Sequence, residues 1–189
     1  MHPDWRAFLE SRSATIGDDG AARFGASPAA GSEPACAVAD LSHLGLIAVG
    51  GPEATDFLQG QLSNDVRELS DTHTQLSSHC SPKGRMIANF RVLRIEESLF
   101  LVLPRAQMEP ILKRLRMFLL RAKATIDDAS DALVCFGIIG GCADAALGEL
   151  FGPLPQHDNG MTRAGAATLV RIPGAVQRFL FIGPAEQAH

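Results

Sequence analysis

Residues 40–64 read DLSHLGLIAVGGPEATDFLQGQLSN, and this stretch decides the fold prediction. The apolar run at 44–49 predicts a β-strand, and Gly50 and Gly51 predict its end. Pro52 then suits the first position of a helix, where its missing N–H is not needed. The apolar side chains that recur at helical spacing after it are Ala54, Phe57, Leu58 and Leu62. A strand followed directly by a short amphipathic helix is therefore expected.

The next segments continue this alternation. We expect a strand at 72–80, a turn at 81–84, strands at 85–95 and 99–103, a helix at 104–120 and a short strand at 125–126. The apolar residues predicted for the inner face of that helix are Met108, Ile111, Leu112, Leu115 and Leu119. The order β-α-β-β-β-α-β is close to a split βαβ, ferredoxin-like unit. The predicted class is α+β, with helices on one side of a mostly antiparallel sheet.

Three regions are predicted along the chain. Residues 1–39 form an N-terminal helix and an irregular arm, 40–128 the split βαβ region, and 129–189 the start of a second α+β layer. The elements predicted in the third region are strands at 133–139, 167–172 and 178–182 and a helix at 143–151. The sequence stops where a further helix is expected, which suggests that a C-terminal part is missing.

Composition places the chain among ordinary globular proteins. It has 189 residues, 46% of them apolar, and a mean hydropathy near zero. No apolar run reaches the roughly 18–20 residues that a membrane span requires. Residues 1–10 lack the basic and apolar regions of a signal peptide, so we expect a cytoplasmic protein. The four cysteines show no metal-ligand spacing and are interpreted as buried free thiols rather than a metal site.

Charge is unevenly distributed. The net charge is −4, yet residues 83–123 hold ten basic and three acidic residues. A basic stretch on an acidic protein suggests a site for phosphate, a carboxylate tail or nucleic acid, although a solvated helix face explains it equally well. Arg114, Arg116 and Arg121 are predicted to form an outer basic ridge that contacts RNA or an acidic partner. Phe118 is the only aromatic residue among them, which gives little support for stacking on RNA bases.

Other candidate sites are weaker. Lys83 and Arg85 flank Gly84 at a hairpin tip, where an exposed amide between two cations can hold an anion, or the turn is simply solubilising. His73 and His79 are predicted on one strand and the same face, without further metal ligands. No nucleophile elbow follows a strand. We therefore predict neither a catalytic residue nor a metal site.

Several motifs carry a resemblance to a known family. The runs DLSHLG at 40–45, VGGPEA at 49–54, FLQ at 57–59 and SNDV at 63–66 resemble the opening of the glycine-cleavage T-protein superfamily. The runs QGQL at 59–62, HC at 79–80, KGRM at 83–86 and NFR at 89–91 are similar to its YgfZ-type branch of folate-binding proteins. The resemblance spans about residues 40–182 and implies the N-terminal half of such a protein, with its T-protein-like folate-binding domain.

The resemblance also implies a function. Members of this branch bind tetrahydrofolate or a related folate and support maturation or repair of iron–sulfur enzymes, including those that modify tRNA. The related aminomethyltransferases carry two aspartates where this chain has Ala88 and Asn89. Neither residue supplies a carboxylate for proton transfer, so a non-enzymatic role is favoured over an aminomethyltransferase. The branch signature Lys-Gly-Cys-x-x-Gly-Gln-Glu does not occur in this sequence.

Four residues are predicted from the resemblance to bind folate. Leu44 stands where the branch has a tryptophan that lines the pterin pocket, although a core position in the strand is the alternative interpretation. Asn89 is expected to contact the pterin edge. Lys83 and Arg85 are expected to meet the glutamate tail.

Overall fold

The structure is a computed structural model that describes residues 1–18, 20–25, 36–141 and 143–188. Its helices and strands, in chain order, are α1 (Pro3–Ser11), β1 (Thr15–Ile16), β2 (Ala22–Arg23), β3 (Cys36–Asp40), β4 (Leu44–Gly50), α2 (Ala54–Gln59), β5 (Gln75–Cys80), β6 (Met86–Ile95), β7 (Ser98–Pro104), α3 (Met108–Leu119), β8 (Thr125–Asp128), β9 (Val134–Gly140), α4 (Ala143–Phe151), β10 (Met161–Ala164), β11 (Ala167–Arg171) and β12 (Arg178–Gly183). Three short 3-10 turns lie at Val66–Glu68, Arg105–Gln107 and Ala185–Gln187. The chain divides into two compact units, Leu44–Ser130 and the combination of Met1–His43 with Asp131–His189.

The unit Leu44–Ser130 is built on a five-stranded antiparallel sheet in the order β5-β6-β7-β4-β8. Helix α3 connects β7 to β8, and these two strands are parallel to each other with β4 between them. Strands β4 and β6 are likewise parallel, with β7 between them. This arrangement confirms the predicted split βαβ unit, to which β5 adds an edge strand.

Helices α2 and α3 cover one face of this sheet. Alternate residues of the strands point to that face, because side chains in a strand alternate between the two sides. The core contains, among others, Ile47, Val49, Phe57, Leu58, Phe90, Leu99, Leu101, Ile111 and Leu115. The inner face predicted for α3 is therefore confirmed. The helix itself begins at Met108 rather than at Pro104, because a 3-10 turn intervenes and Pro110 falls in the first helical turn, where proline is tolerated.

The second unit contains the sheet β10-β11-β12-β9-β3, in which all neighbours are antiparallel. Its core includes a stack of rings in which Phe136 lies 5.6 Å from Trp5 and 4.4 Å from Phe181, centroid to centroid. The indole N–H of Trp5 donates to Asp40 at 2.8 Å. These contacts dock α1, as its apolar pattern predicts.

The structure differs from the expectation for the N-terminal arm. The irregular arm is predicted to extend to residue 39, whereas Cys36–Asp40 forms β3 and pairs with β9 along its whole length. Sequence pattern misses this strand because its partner lies about a hundred residues downstream. Residues 26–35, the middle of the predicted arm, lie outside the described residues. No helix among the described residues is long and apolar enough to cross a membrane.

Gly51 directly follows β4, at a point where the backbone of Lys123 approaches closely. Its φ is +99°, and a Cβ at this position would lie 2.6 Å from the carbonyl oxygen of Lys123. The approach is held by hydrogen bonds from the Glu53 N–H to that oxygen and from the Lys123 N–H to the Glu53 carboxylate. Only glycine satisfies both the backbone angle and the space.

We therefore expect Gly51→Ala to lower the free energy of unfolding by about 2 kcal/mol or more, since it combines an unfavourable φ with a clash against backbone. Gly84→Ala is the matched control, because Gly84 also has a positive φ (+74°) but nothing within 4 Å of the added Cβ. It should cost only about 1 kcal/mol. Urea unfolding followed by circular dichroism measures both, and equal losses would contradict the role of the close approach.

Candidate functional site

The predicted turn between β5 and β6 is present and holds Lys83 and Arg85 on the surface. The Ser81 N–H donates to the Arg85 carbonyl at 2.8 Å, and the Gly84 N–H donates to the Ser81 carbonyl at 2.9 Å. The Arg85 N–H donates to the Ser81 hydroxyl at 3.2 Å. These amides are therefore occupied, and the expectation of an exposed amide between the two cations is wrong. Any anion at this tip would be held by the side chains of Lys83 and Arg85, which are exposed.

Leu44 and Asn89 lie on the same face of the sheet, opposite the helices. Leu46, Val102 and Arg91 pair across β4, β7 and β6 as one row. Leu44 and Asn89 each lie two residues before that row on parallel strands, so they form the next row on the same face. Two strand spacings separate them, roughly 10 Å. Leu44 is half-buried at the start of β4, whereas Asn89 is exposed.

Exposed apolar side chains accompany Asn89 on this hairpin. Leu76 pairs with Arg91 and therefore shares the face of Asn89; it is 58% exposed. Met86, next to the turn, is 63% exposed, and the Ser78 hydroxyl donates to its sulfur at 3.5 Å. The sequence pattern does not predict the exposure of Leu76, because the polar residues Ser77 and His79 take the buried positions of this strand. The surface is thus mixed: Asn89 lies opposite Ser78 and two residues from Arg91, with apolar side chains at Leu76 and Met86 and two cations at its end.

Ala88 and Asn89, the positions at which the resemblance implies aspartates in the aminomethyltransferases, differ in environment. Ala88 is 3% exposed and belongs to the core beneath the helices, whereas Asn89 points to the other face. Only Asn89 can therefore meet a ligand at this surface. Its amide offers both a donor and an acceptor but no charge.

The segment after α2 is attached to the edge strand β5. The Ser63 N–H donates to the Ser78 carbonyl at 2.9 Å, and the Ser63 hydroxyl accepts from the Ser78 N–H at 3.0 Å. The Gln59 side chain accepts from the Val66 N–H at 2.9 Å. The motif residues at 59–64 thus serve to hold the hairpin that carries Asn89.

His79 lies in the centre of this support. It is 3% exposed, and its ring nitrogens face the Gln61 carbonyl oxygen at 2.8 Å and the Nε of Arg114 at 2.8 Å. A carbonyl only accepts and a guanidinium only donates, so Nδ1 carries the proton and Nε2 accepts. His73 lies outside β5 and is exposed, so the expected pair of histidines on one strand does not exist.

The predicted outer ridge is present only in part, because two of its arginines also form contacts within the fold. Arg114 turns toward His79, and its guanidinium lies 5.6 Å from the centre of the Phe118 ring. Arg116 donates twice to the Ile126 carbonyl of the edge strand β8, at 3.0 and 2.6 Å, and lies 3.6 Å from Asp127. Arg116 and Arg121 are exposed, whereas Arg114 is half-buried. Two of the three therefore hold the fold together.

The cysteines also depart in part from expectation. Cys135 is a buried free thiol, and burial together with the charge of Asp40 raises its pKa to about 12. Cys80 is free but exposed, and Cys36 is disulfide-bonded rather than free. Cys142 lies outside the described residues.

Comparison with known proteins agrees with the fold. The GCVT N-terminal domain family matches residues 30–185. The chain belongs to this family. It is 31% identical over 161 residues to the tRNA-modifying protein YgfZ of Yersinia pestis (strain Pestoides F), covering 85% of this chain and 48% of that protein. It is 32% identical over 142 residues to the protein of the same name from Shigella boydii serotype 4 (strain Sb227), covering 75% of this chain and 43% of that protein.

Solved structures show the same fold. The aminomethyltransferase T of the Bartonella henselae glycine cleavage system superposes with a TM-score of 0.80 at 18% identity, over 100% of this chain and 55% of that chain. The heterotetrameric sarcosine oxidase of Corynebacterium sp. U-96 gives a TM-score of 0.58 at 13% identity, over 81% of this chain and 77% of that chain. The predicted resemblance to the YgfZ-type branch and to the T-protein fold is confirmed. The chain spans about half the length of the curated relatives it matches.

We expect Arg114→Leu to lower the free energy of unfolding by about 1–2 kcal/mol, because it leaves Nε2 of the buried His79 without a donor. Lys113→Leu is the control, since Lys113 is the exposed neighbour on the same helix and its loss should change stability by less than about 0.5 kcal/mol. Urea unfolding measures both. Equal stability of the two variants would show that the hydrogen bond to His79 contributes nothing.

Thiol labelling should separate the two free cysteines. Iodoacetamide at pH 8 is expected to modify Cys80 in the folded protein and to leave Cys135 unmodified, because only a thiolate reacts and Cys135 is both buried and protonated at that pH. Peptide mass spectrometry identifies the modified residue. In urea both should react, which provides the internal control, and rapid labelling of Cys135 without denaturant would contradict its environment in the structure.

Proposed function

We propose that the chain binds a tetrahydrofolate-type ligand on the β5–β6 hairpin face, as part of a YgfZ-type accessory protein. The observation that carries this proposal is the exposed amide of Asn89 on the same sheet face as Leu44. An amide that both donates and accepts is complementary to the edge of a pterin ring. The apolar side chains of Leu44 and Leu76 offer contact for the ring faces.

The two cations at the hairpin tip also favour a folate-type ligand. Arg85 is four residues from Asn89, roughly 13 Å along the strand. A pterin joined through a benzoyl group to glutamate can span that length, which brings its carboxylates to Lys83 and Arg85. Charge-assisted hydrogen bonds from these side chains favour a chain of several glutamates over one.

The cellular role is proposed from the relatives. Their name describes tRNA modification. From the resemblance to the YgfZ-type branch we propose that this chain supports iron–sulfur enzymes, including those that modify tRNA, in the cytoplasm. These enzymes would be its clients.

An aminomethyltransferase remains the rival function, but its proposed carboxylate positions hold Ala88 and Asn89. Tetrahydrofolate-dependent release of ammonia from a loaded lipoyl carrier would replace our proposal with that activity. A basic ridge for RNA is not favoured, because Arg114 and Arg116 are engaged within the fold.

Isothermal titration tests folate binding. We expect Asn89→Ala to weaken binding of tetrahydrofolate and of its triglutamate form alike, by about tenfold for one lost polar contact to a buried ring edge. The double variant Lys83→Glu, Arg85→Glu should weaken the triglutamate more than the monoglutamate, since the tail carries the added charge.

Lys113→Glu is the matched control for charge reversal, because Lys113 is exposed on α3 and not on the hairpin. It should leave both affinities unchanged. Absence of binding heat with the unsubstituted chain at high micromolar concentration would refute the proposal for this chain. Equal weakening by the control would show that the hairpin cations act only through net charge.

A further inference from the structure

An open groove runs along the outer side of α3, away from the hairpin face. Its volume is about 690 Å³. Its apolar lining is Met108, Leu112 and Met117. The first two are buried members of the core, whereas Met117 is 64% exposed. A side chain entering the groove would therefore meet a thioether surface that adapts to many apolar shapes.

Leu120 is the C-cap residue of α3 and follows the groove residue Met117 by three positions. It is 89% exposed and has a φ of +35°. Helix ends with positive φ usually carry glycine, so a leucine here costs backbone energy without burying its side chain within the described chain. Burial of the Leu120 side chain against a partner would offset this backbone cost.

Charge defines what can cover this surface. Lys113 and Arg116 line the groove, Arg105 lies at its other end, and Arg121 follows Leu120. Residues 113–123 hold five basic residues and no acidic one. Two acids, Glu109 and Asp128, also line the groove, and Arg116 lies 3.6 Å from Asp127. Charge inside the groove is therefore mixed, and the excess positive charge lies on Lys113, Arg121 and Lys123, in the segment that holds Met117 and Leu120.

We propose that this surface, the α3 groove with Leu120, docks an acidic segment of a partner protein that carries apolar anchor residues. Acidic side chains on the partner would meet Lys113 and Arg121, while its apolar anchors would cover Met117 and Leu120. A protein segment fits better than RNA, because the exposed groups are aliphatic and the nearest aromatic ring, Phe118, is already stacked with Arg114. This function is separate from folate binding and uses none of the same residues.

The probe is a fluorescein-labelled synthetic peptide in which leucines are spaced among aspartates and glutamates, titrated with the full chain by fluorescence anisotropy. Two reference peptides replace either the leucines with serine or the acids with lysine. We expect the acidic leucine peptide to bind best, and its affinity to fall as salt increases.

Leu120→Gly is the decisive variant. Glycine relieves the positive φ and removes almost no buried surface, so the thermal midpoint should be unchanged or higher. Peptide affinity should nevertheless fall roughly tenfold, the loss for one leucine that becomes buried on binding. Arg121→Glu should also weaken binding, and more at low salt. Controls in the other unit are Leu150→Ala and Arg12→Glu, since both side chains are exposed there; neither should change affinity.

Other outcomes would overturn the proposal. These are no binding of the acidic leucine peptide, equal binding of its serine version, or an unchanged affinity in Leu120→Gly. Phosphatidylglycerol vesicles and a single-stranded RNA of mixed sequence are titrated in parallel, and tighter Leu120-dependent binding of either assigns the surface to that class instead. Self-association of the chain that is lost in Leu120→Gly would assign it to a second copy.

Discussion

The position of β4 between β7 and β8 is the constraint on which the unit Leu44–Ser130 depends. The crossovers from β4 to β6 and from β7 to β8 start on antiparallel strands and run in opposite directions across the sheet, so the usual right-handed sense places α2 and α3 on the same face. That face forms the core, and Leu44 and Asn89 lie on the opposite face. The same register sets Leu44 and Asn89 in one row, since each lies two residues before the row of Leu46, Val102 and Arg91.

Some of the cations that the sequence suggests for binding form hydrogen bonds within the fold. Arg114 holds the buried His79 in one tautomer, and that ring in turn binds the Gln61 carbonyl. Arg116 occupies a carbonyl of β8, an edge strand that would otherwise present unpaired backbone. Net positive charge over a segment therefore says little about binding until the internal hydrogen bonds are known. Among the basic residues of 83–123, the exposed ones are Lys83, Arg85, Lys113, Arg116, Arg121 and Lys123.

The family motifs in this chain contain residues that hold neighbouring segments of the fold together. Gln59 and Ser63 fasten the segment after α2 to β5 and to the following turn, and Gly51 permits the close approach of Lys123.

The sequence by itself determined the elements that rest on local periodicity and turn chemistry. The strand ended by Gly50 and Gly51, the hairpin at residues 81–85 and the inner face of α3 all follow from side-chain spacing, which is a property of neighbouring residues. Only the tertiary structure decided the pairing of Cys36–Asp40 with β9, the contact between His79 and Arg114, and the exposure of Leu120. Each depends on segments far apart in the chain or on a backbone angle, and neither leaves a periodic signal in the sequence.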